Sequence, residues 1–251
     1  MKSYFTKKLQ ESDFDSRNNV LITGTHKNPQ ELLLPYLFSH SKDRKQVVVD
    51  FGENQSKLHY LCKRISLELS KMNNISFYDM FSAMAESIEN EYPLTVQPPY
   101  SHKKYSSTYI SANTEKKAIY LDLIEKLKAE EDKDILILNN VEFMLLDLED
   151  DLSLFFSFYI SLCKLGFSKV IVLVNRKVLN GDKFTPILNM LYSQANYTID
   201  IIDLESGYSK DLSGNIEFSY YDTTTIKKVT QNLKFNKKMS RIVFFEQYHV
   251  N

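Results

Sequence analysis

Short, unbroken apolar runs punctuate the chain, separated by stretches in which apolar residues recur every third or fourth position. The runs predict strands over residues 19–24, 46–51, 134–140 and 169–175, each apolar through its centre as a strand covered on both faces must be. Leu58, Leu61, Cys62, Ile65 and Leu69 have helical spacing and predict a helix over residues 55–72. Further helices are predicted over residues 30–39, 182–195 and 152–165, the last aromatic-rich and closed by Gly166. Pro35 inside the first of these predicts a kink or an early end. A short strand at 74–78 leads into a helix ending near residue 90, and Thr114 caps another that carries Lys117, Ile119 and the run 120–128.

After residue 197 the pattern changes. Residues 198–204 set Ile199, Ile201 and Leu204 against Asp200 and Asp203, a hairpin follows around 207–214, and strands are predicted at 216–221 and 241–247. The repeated strand–helix–strand rhythm predicts an α/β fold, a mostly parallel sheet with helices on both faces and a late antiparallel extension. Residues 18–251 read as a single domain and residues 1–17 as a polar, loosely packed lead-in. Residues 91–114 hold Pro93, Pro98 and Pro99, lose all periodicity and read as a long exposed loop.

Composition narrows the function classes. A formal charge of −1, from 31 basic and 32 acidic residues, argues against a strongly basic nucleic-acid binder but leaves room for a local basic patch. Six glycines are few for an enzyme that wraps phosphates in flexible loops, and 16 Tyr with 16 Phe point to aromatic packing or contact surfaces. Cys62 and Cys163 each sit in an apolar, helix-like segment and read as reduced, buried thiols. The N-terminus lacks the apolar core of a signal peptide, and no run approaches the ~18 residues of a membrane span. A cytoplasmic location, extending to the nucleus, and no membrane partner are therefore expected.

The turn VLITGTHKNPQE, residues 20–31, has the strand–loop–helix layout of a nucleotide-binding P-loop. A working P-loop needs G-x-x-x-x-G-K-[ST], so that backbone amides and a lysine cradle phosphates while a hydroxyl holds the metal. Counting from Gly24, the second glycine is Pro29, the lysine is Gln30 and the hydroxyl residue is Glu31. Pro29 removes an N–H, and Glu31 brings negative charge to where phosphates would sit. The companion strand DILILNN ends in Asn139 where a metal-binding acid is needed, and an amide is a poor ligand for a hard cation. Both halves of the nucleotide site are altered, so no catalytic residue, cofactor or metal ligand is assigned.

Other chemistries fare worse. Thr23-Gly24 followed by Tyr100-x-x-x-Lys104 mimics a short-chain dehydrogenase pattern, but Pro98-Pro99 place that tyrosine in a loop and the cofactor glycines are missing. None of the five histidines has metal-ligand spacing, and His26 reads as a solvated loop residue. The acids Asp147, Glu149, Asp150 and Asp151 read as favouring the N-terminus of the following helix. Two basic clusters remain as candidate RNA contacts: Lys103, Lys104 and Tyr105 in the long loop, and Arg176, Lys177 and Lys183 after the fourth apolar strand.

The most specific tract is Gly207-Tyr208-Ser-Lys210-Asp211-Leu-Ser-Gly214, two glycines bracketing a polar turn. It resembles the late G-[FY]-x-[KR]-D-[VL]-x-G hairpin of the Elongator complex protein 6 family, RecA-like subunits without working Walker motifs. The order of elements, from the altered P-loop turn through DILILNN and KVIVLVN to the hairpin, is similar as well. The resemblance implies a RecA-like, P-loop NTPase-type fold lacking working Walker A and B motifs, and no enzymatic activity of the chain's own. It further implies a hetero-hexameric ring with Elongator complex proteins 4 and 5, docked on the catalytic Elongator subunits that modify tRNA wobble uridines. Such a ring binds tRNA and is linked to its release. The alternatives are the sister subunit, Elongator complex protein 5, a weak ring NTPase using residues in trans, and a stand-alone metabolic enzyme.

Overall fold

Alternation along the central strands sends successive side chains to opposite faces, and both faces are covered by helices. The computed structural model describes residues 4–12, 14–25, 29–52, 55–82, 116–148, 151–179, 181–204, 213–222, 227–238 and 241–246. Its strands are β1 (Asn19–Gly24), β2 (Gln46–Asp50), β3 (Ile75–Asp79), β4 (Ile135–Asn139), β5 (Lys169–Asn175), β6 (Tyr197–Asp203), β7 (Gly214–Asp222), β8 (Lys227–Lys238) and β9 (Arg241–Glu246). They form one sheet in the order β3-β2-β4-β5-β1-β6-β7-β8-β9. Pairing is parallel from β3 to β6 and antiparallel from β6 to β9.

On one face Leu21, Val49, Leu138 and Val172 pack beneath helices α4 (Lys116–Lys128), α5 (Val141–Asp147), α6 (Leu152–Cys163) and α7 (Thr185–Gln194). On the other, Ile22, Val48, Ile137 and Leu173 pack beneath α1 (Tyr4–Glu11), α2 (Pro29–His40) and α3 (Gln55–Lys63). β2, β4 and β5 are buried along their whole length, which is why their sequences read as unbroken apolar runs. The mostly parallel α/β sheet with its late antiparallel extension is the architecture that the hydrophobic pattern predicts. Among the described residues no helix is long and apolar enough to cross a membrane.

Several local expectations are corrected. The lead-in is packed: α1 buries Phe5 and Leu9 completely, and Phe5 stacks on Phe244 with ring centroids 5.5 Å apart. Phe14 is also buried, its ring 3.9 Å from the ammonium of buried Lys169, which donates to the Phe14 carbonyl. Pro35 does not end α2, which runs on to His40. The helix predicted to residue 72 stops at Lys63, because Ser66 takes a left-handed φ of 62° and turns the chain before Leu69 re-enters the core. The acidic segment after β4 opens with the helix α5, and Asp147 there accepts a 3.1 Å hydrogen bond from the Tyr120 hydroxyl. β8 carries no apolar run and was not anticipated. Cys62 is buried as expected, whereas Cys163 is exposed at the end of α6. The long loop at 91–114 lies outside the described residues.

Candidate functional site

Parallel strands bring their C-terminal ends to one edge, so Gly24, Asp50, Asn139 and Asn175 converge there. The chain leaves β1 through α2 on one face and β5 through α7 on the other. β1 and β5 are neighbours, so the edge between them is a topological switch point, where open α/β sheets bind ligands. The chain after β1 is pinned to this edge by backbone bonds from Thr25 N–H to the Ile201 carbonyl (3.0 Å) and from Arg176 N–H to the Gly24 carbonyl (3.0 Å). Gly24 is an extended strand residue, and Pro29 is the first residue of α2, where a missing N–H interrupts no helical bond. The side chains of Pro29, Gln30 and Glu31 lie outside the described residues.

Two polar networks, the first buried and the second half-buried, divide the edge. The first centres on Asp50, whose carboxylate accepts from Asn139 Nδ2 at 2.7 Å, Asn140 Nδ2 at 2.8 Å and the Gly52 amide at 3.0 Å. β2 and β4 place Asp50 and Asn139 in direct register. Asn140 adopts a left-handed φ of 58°, turning the chain out of β4 and aiming its own amide at the same carboxylate. Gly52 is tightly packed: a Cβ there would fall 2.4 Å from the Phe143 ring and 2.8 Å from Asn140 Cβ. Buried Glu142, the second residue of α5, accepts from the Asn175 backbone N–H at 3.0 Å. Asn139 therefore ends β4 as a donor, and the acid nearest to it is already hydrogen-bonded by the chain. Its other amide atom, Oδ1, is buried without a partner.

The second network centres on Asp200 of β6. Its carboxylate accepts from the Thr23 hydroxyl, from Tyr192 OH at 2.7 Å, and lies 3.6 Å from Arg176 Nη2. Burial, then the neighbouring Asp200 charge, raises the Tyr192 hydroxyl above its ordinary range and keeps it a donor. Arg176, predicted as an RNA contact, is half-buried and turned toward Asp200, with Nε lacking a partner. Lys177 and Lys183 are exposed, and the Lys183 ammonium stands 5.0 Å from the Phe184 ring centroid.

Of the other residues predicted, Gly214 opens β7, where a Cβ would meet the Ile202 carbonyl at 2.5 Å. Lys103, Lys104 and Tyr105 lie outside the described residues, as do Gly207, Tyr208, Lys210 and Asp211. The reading of the sequence overlooked Asp50, Asn140, Thr23, Tyr192 and Asp200. Asp50 had a signal, a lone acid closing an apolar run as Asn139 closes its neighbour, but the pairing of those strands is a long-range fact. Among the described residues no three His, Cys, Asp or Glu side chains gather as a metal would require.

No family model matches the chain, and no curated protein matches it. Among solved structures it is similar to a KaiC-like protein from the hyperthermophilic archaeon Pyrococcus horikoshii. That similarity has a TM-score of 0.55 at 13% identity, covering 91% of this chain and 89% of the other. At this identity the likeness is one of fold, and the chain has a RecA-like fold.

Proposed function

We propose that this chain is a non-catalytic RecA-like subunit of the Elongator accessory ring, assembling with Elongator complex proteins 4 and 5. In that role it supports tRNA wobble-uridine modification, through ring assembly on the catalytic Elongator subunits and through tRNA binding and release. The single observation that carries the non-catalytic part is the Asp50 network. Where a ring ATPase would hold magnesium, two amide side chains and a backbone N–H donate to the carboxylate within 3.0 Å. Oxygens engaged in this way offer little to a hard cation, and the Phe143 ring lies close over Gly52. Pro29, Gln30 and Glu31 add to this, because together they take away the N–H, the lysine and the hydroxyl that a triphosphate requires.

The RecA-like fold and the glycine-bracketed tract at 207–214 support the ring assignment. Lys177 and Lys183 are exposed after β5 and suit tRNA contact, while Arg176 is the less exposed member of the cluster, tethered to Asp200. The site of action is the cytoplasm, extending to the nucleus.

Affinity purification of the tagged chain tests the assembly. The expected result is recovery with two RecA-like partners in a hetero-hexameric ring; a homo-oligomer without other chains would overturn it. ATP turnover of the reconstituted ring should persist when Asn139 is replaced by Ala, and its loss would move the reading toward an NTPase completed in trans. Reversing the charges of Arg176, Lys177 and Lys183 together should weaken tRNA binding while the ring still assembles.

A further inference from the structure

α4 and α6 lie side by side over the parallel half of the sheet. α6 holds no charged residue among its 12, and its exposed positions are Ser153, Ser157, Ile160 and Cys163. Ile160 is 50% exposed, and Leu121 of α4 is 53% exposed. Single exposed apolar residues are ordinary on a protein surface. Here, however, Leu121 lines a hollow of about 70 Å³ between the helices, together with Ile124, Leu154, Phe158, Ser157 and Ser161. Ile160 lies on the turn of α6 between those two serines. Small-molecule pockets run to about 300–1,000 Å³, so this hollow has room only for the end of one side chain. A charge-poor surface with large apolar residues at its centre has the composition of a protein contact.

The outer residues of α4 identify the partner. A twofold axis through one residue of a helix exchanges the positions four before and four after it, and likewise three before and three after. With that axis on Leu121, Lys117 exchanges with Glu125 and Ala118 with Ile124. A second α4 laid antiparallel over the first thus sets its lysine over the first copy's glutamate and its alanine over the isoleucine. By symmetry each pairing occurs twice. Lys117 is exposed, and Glu125, 69% exposed, meets Lys128 only at 3.7 Å, an exposed pair of small worth. Asp122 is turned to Lys126 of its own helix at 2.9 Å. An unrelated helix would need its charges arranged to match this stripe; a copy of this chain carries them already.

We propose that two copies of this chain associate through a twofold contact of α4 and α6, with Leu121 on the axis, Ile160 beside it and each Lys117 bridging to the partner's Glu125. The contact is separate from the ring, because it uses the outer surface of one helical layer and forms in the isolated chain. Its failure leaves the recovery of RecA-like partners standing. Absence of those partners leaves a dimer that Leu121→Asp still dissociates.

The test is sedimentation equilibrium of the purified full-length chain over about 1–100 µM. Wild type should pass from monomer to dimer in that range and form nothing larger, because a twofold contact closes on itself. Leu121→Asp should raise the dimer Kd at least about tenfold while the monomer keeps its melting temperature, since the residue lies at the surface. Lys117→Glu sets two pairs of acids together and should raise the Kd about tenfold, as should Glu125→Lys with two pairs of bases. Combining the two reversals restores opposite charges across the axis and should bring the Kd back to within about threefold of wild type. No recovery in the combination would overturn the proposal, as would a wild-type chain that stays monomeric throughout. If Leu121→Asp instead removed RecA-like partners from the affinity-purified complex, the face would belong to another subunit. If it lowered the melting temperature of a monomer, the face would belong to another part of this chain. Either result would overturn the second copy as its occupant.

Discussion

Strands β1, β2, β4 and β5 are buried on both faces, whereas β7 and β8 bury Ile216, Phe218, Leu233 and Phe235 on the α1 side and set exposed Tyr221, Lys228, Thr230 and Asn232 on the other, with Phe244 of β9 also buried on the α1 side. In the first group every residue is constrained by packing, and the functional question moves to the strand ends, where Asp50 and Asp200 are met by donors from neighbouring elements. In the second group alternate residues are left for solvent or a ligand. The difference also sets how each half is held. The parallel half is clamped between two helical layers, while the extension depends on α1 as its lid, through the rings of Phe5, Phe218 and Phe244.

Removing that lid is the largest single effect expected. Phe5→Ala deletes a fully buried ring and should cost about 3–5 kcal/mol in denaturant unfolding. Hydrogen exchange should show β7–β9 losing protection before β1–β5. Uniform loss across the sheet would mean that the two halves are one cooperative unit, and the contrast drawn between them would fail.

Next in size is Asn139→Asp, which puts an acid at the end of β4. The change replaces a donor 2.7 Å from Asp50 by a second carboxylate in a buried site. About 2–4 kcal/mol should be lost at neutral pH. Like-charge repulsion raises the pKa of one of the two carboxylates above its unfolded value, so the neutral acid favours the folded state. The penalty should thus shrink as pH falls and grow as it rises. Magnesium should not restore the melting temperature, because Asn140 and Gly52 still donate to Asp50. Full rescue by magnesium would show that this edge keeps a usable metal geometry.

Gly214→Ala probes the junction between the halves. The added methyl would sit 2.5 Å from the Ile202 carbonyl and 2.8 Å from the Phe235 ring, so the β6–β7 pairing must open or the ring must shift. Overpacking of this kind costs about 1–3 kcal/mol. A neutral result would mean that the ring yields freely and that the glycine serves the preceding turn instead.

The same contrast explains what could be read from the sequence. QVVVD, ILILN and KVIVLVN are legible because burial on both faces writes itself as an uninterrupted apolar run. KKVTQNLKFNKK is not, because among its described side chains Leu233 and Phe235 alone are fully buried, and lysine and amide residues dominate its sequence. α1 was missed for a related reason: two buried residues in eight look like a polar lead-in until Phe218 and Phe244, more than two hundred positions away, supply the other side of the contact. At the candidate site, Gln30 and Asn139 were singled out from the sequence as departures from the P-loop pattern. The partner that gives Asn139 its meaning, Asp50, was not, since only the β2–β4 register brings the two together.

The smallest effect expected concerns the two thiols, both first read as buried. Cys62 lies in α3 beneath the parallel half, and burial pushes its pKa up from 9.0 to about 12. Cys163 is exposed at the end of α6; burial also raises its pKa, but the Tyr159 hydroxyl bond opposes that shift. A thiol reagent at neutral pH should therefore label Cys163 in the native protein and reach Cys62 only after unfolding. Because the folded pKa of Cys62 is raised, the neutral thiol favours the folded state. Its contribution is intact below about pH 9 and is lost as pH climbs toward 12. Burial raises the Tyr120, Tyr159, Tyr192 and Tyr197 hydroxyls as well, so Cys62→Ala should flatten the alkaline fall in melting temperature only in part. Rapid labelling of Cys62 in the native state would show that α3 opens locally, and that the doubly covered half is less uniformly held than its buried strands imply.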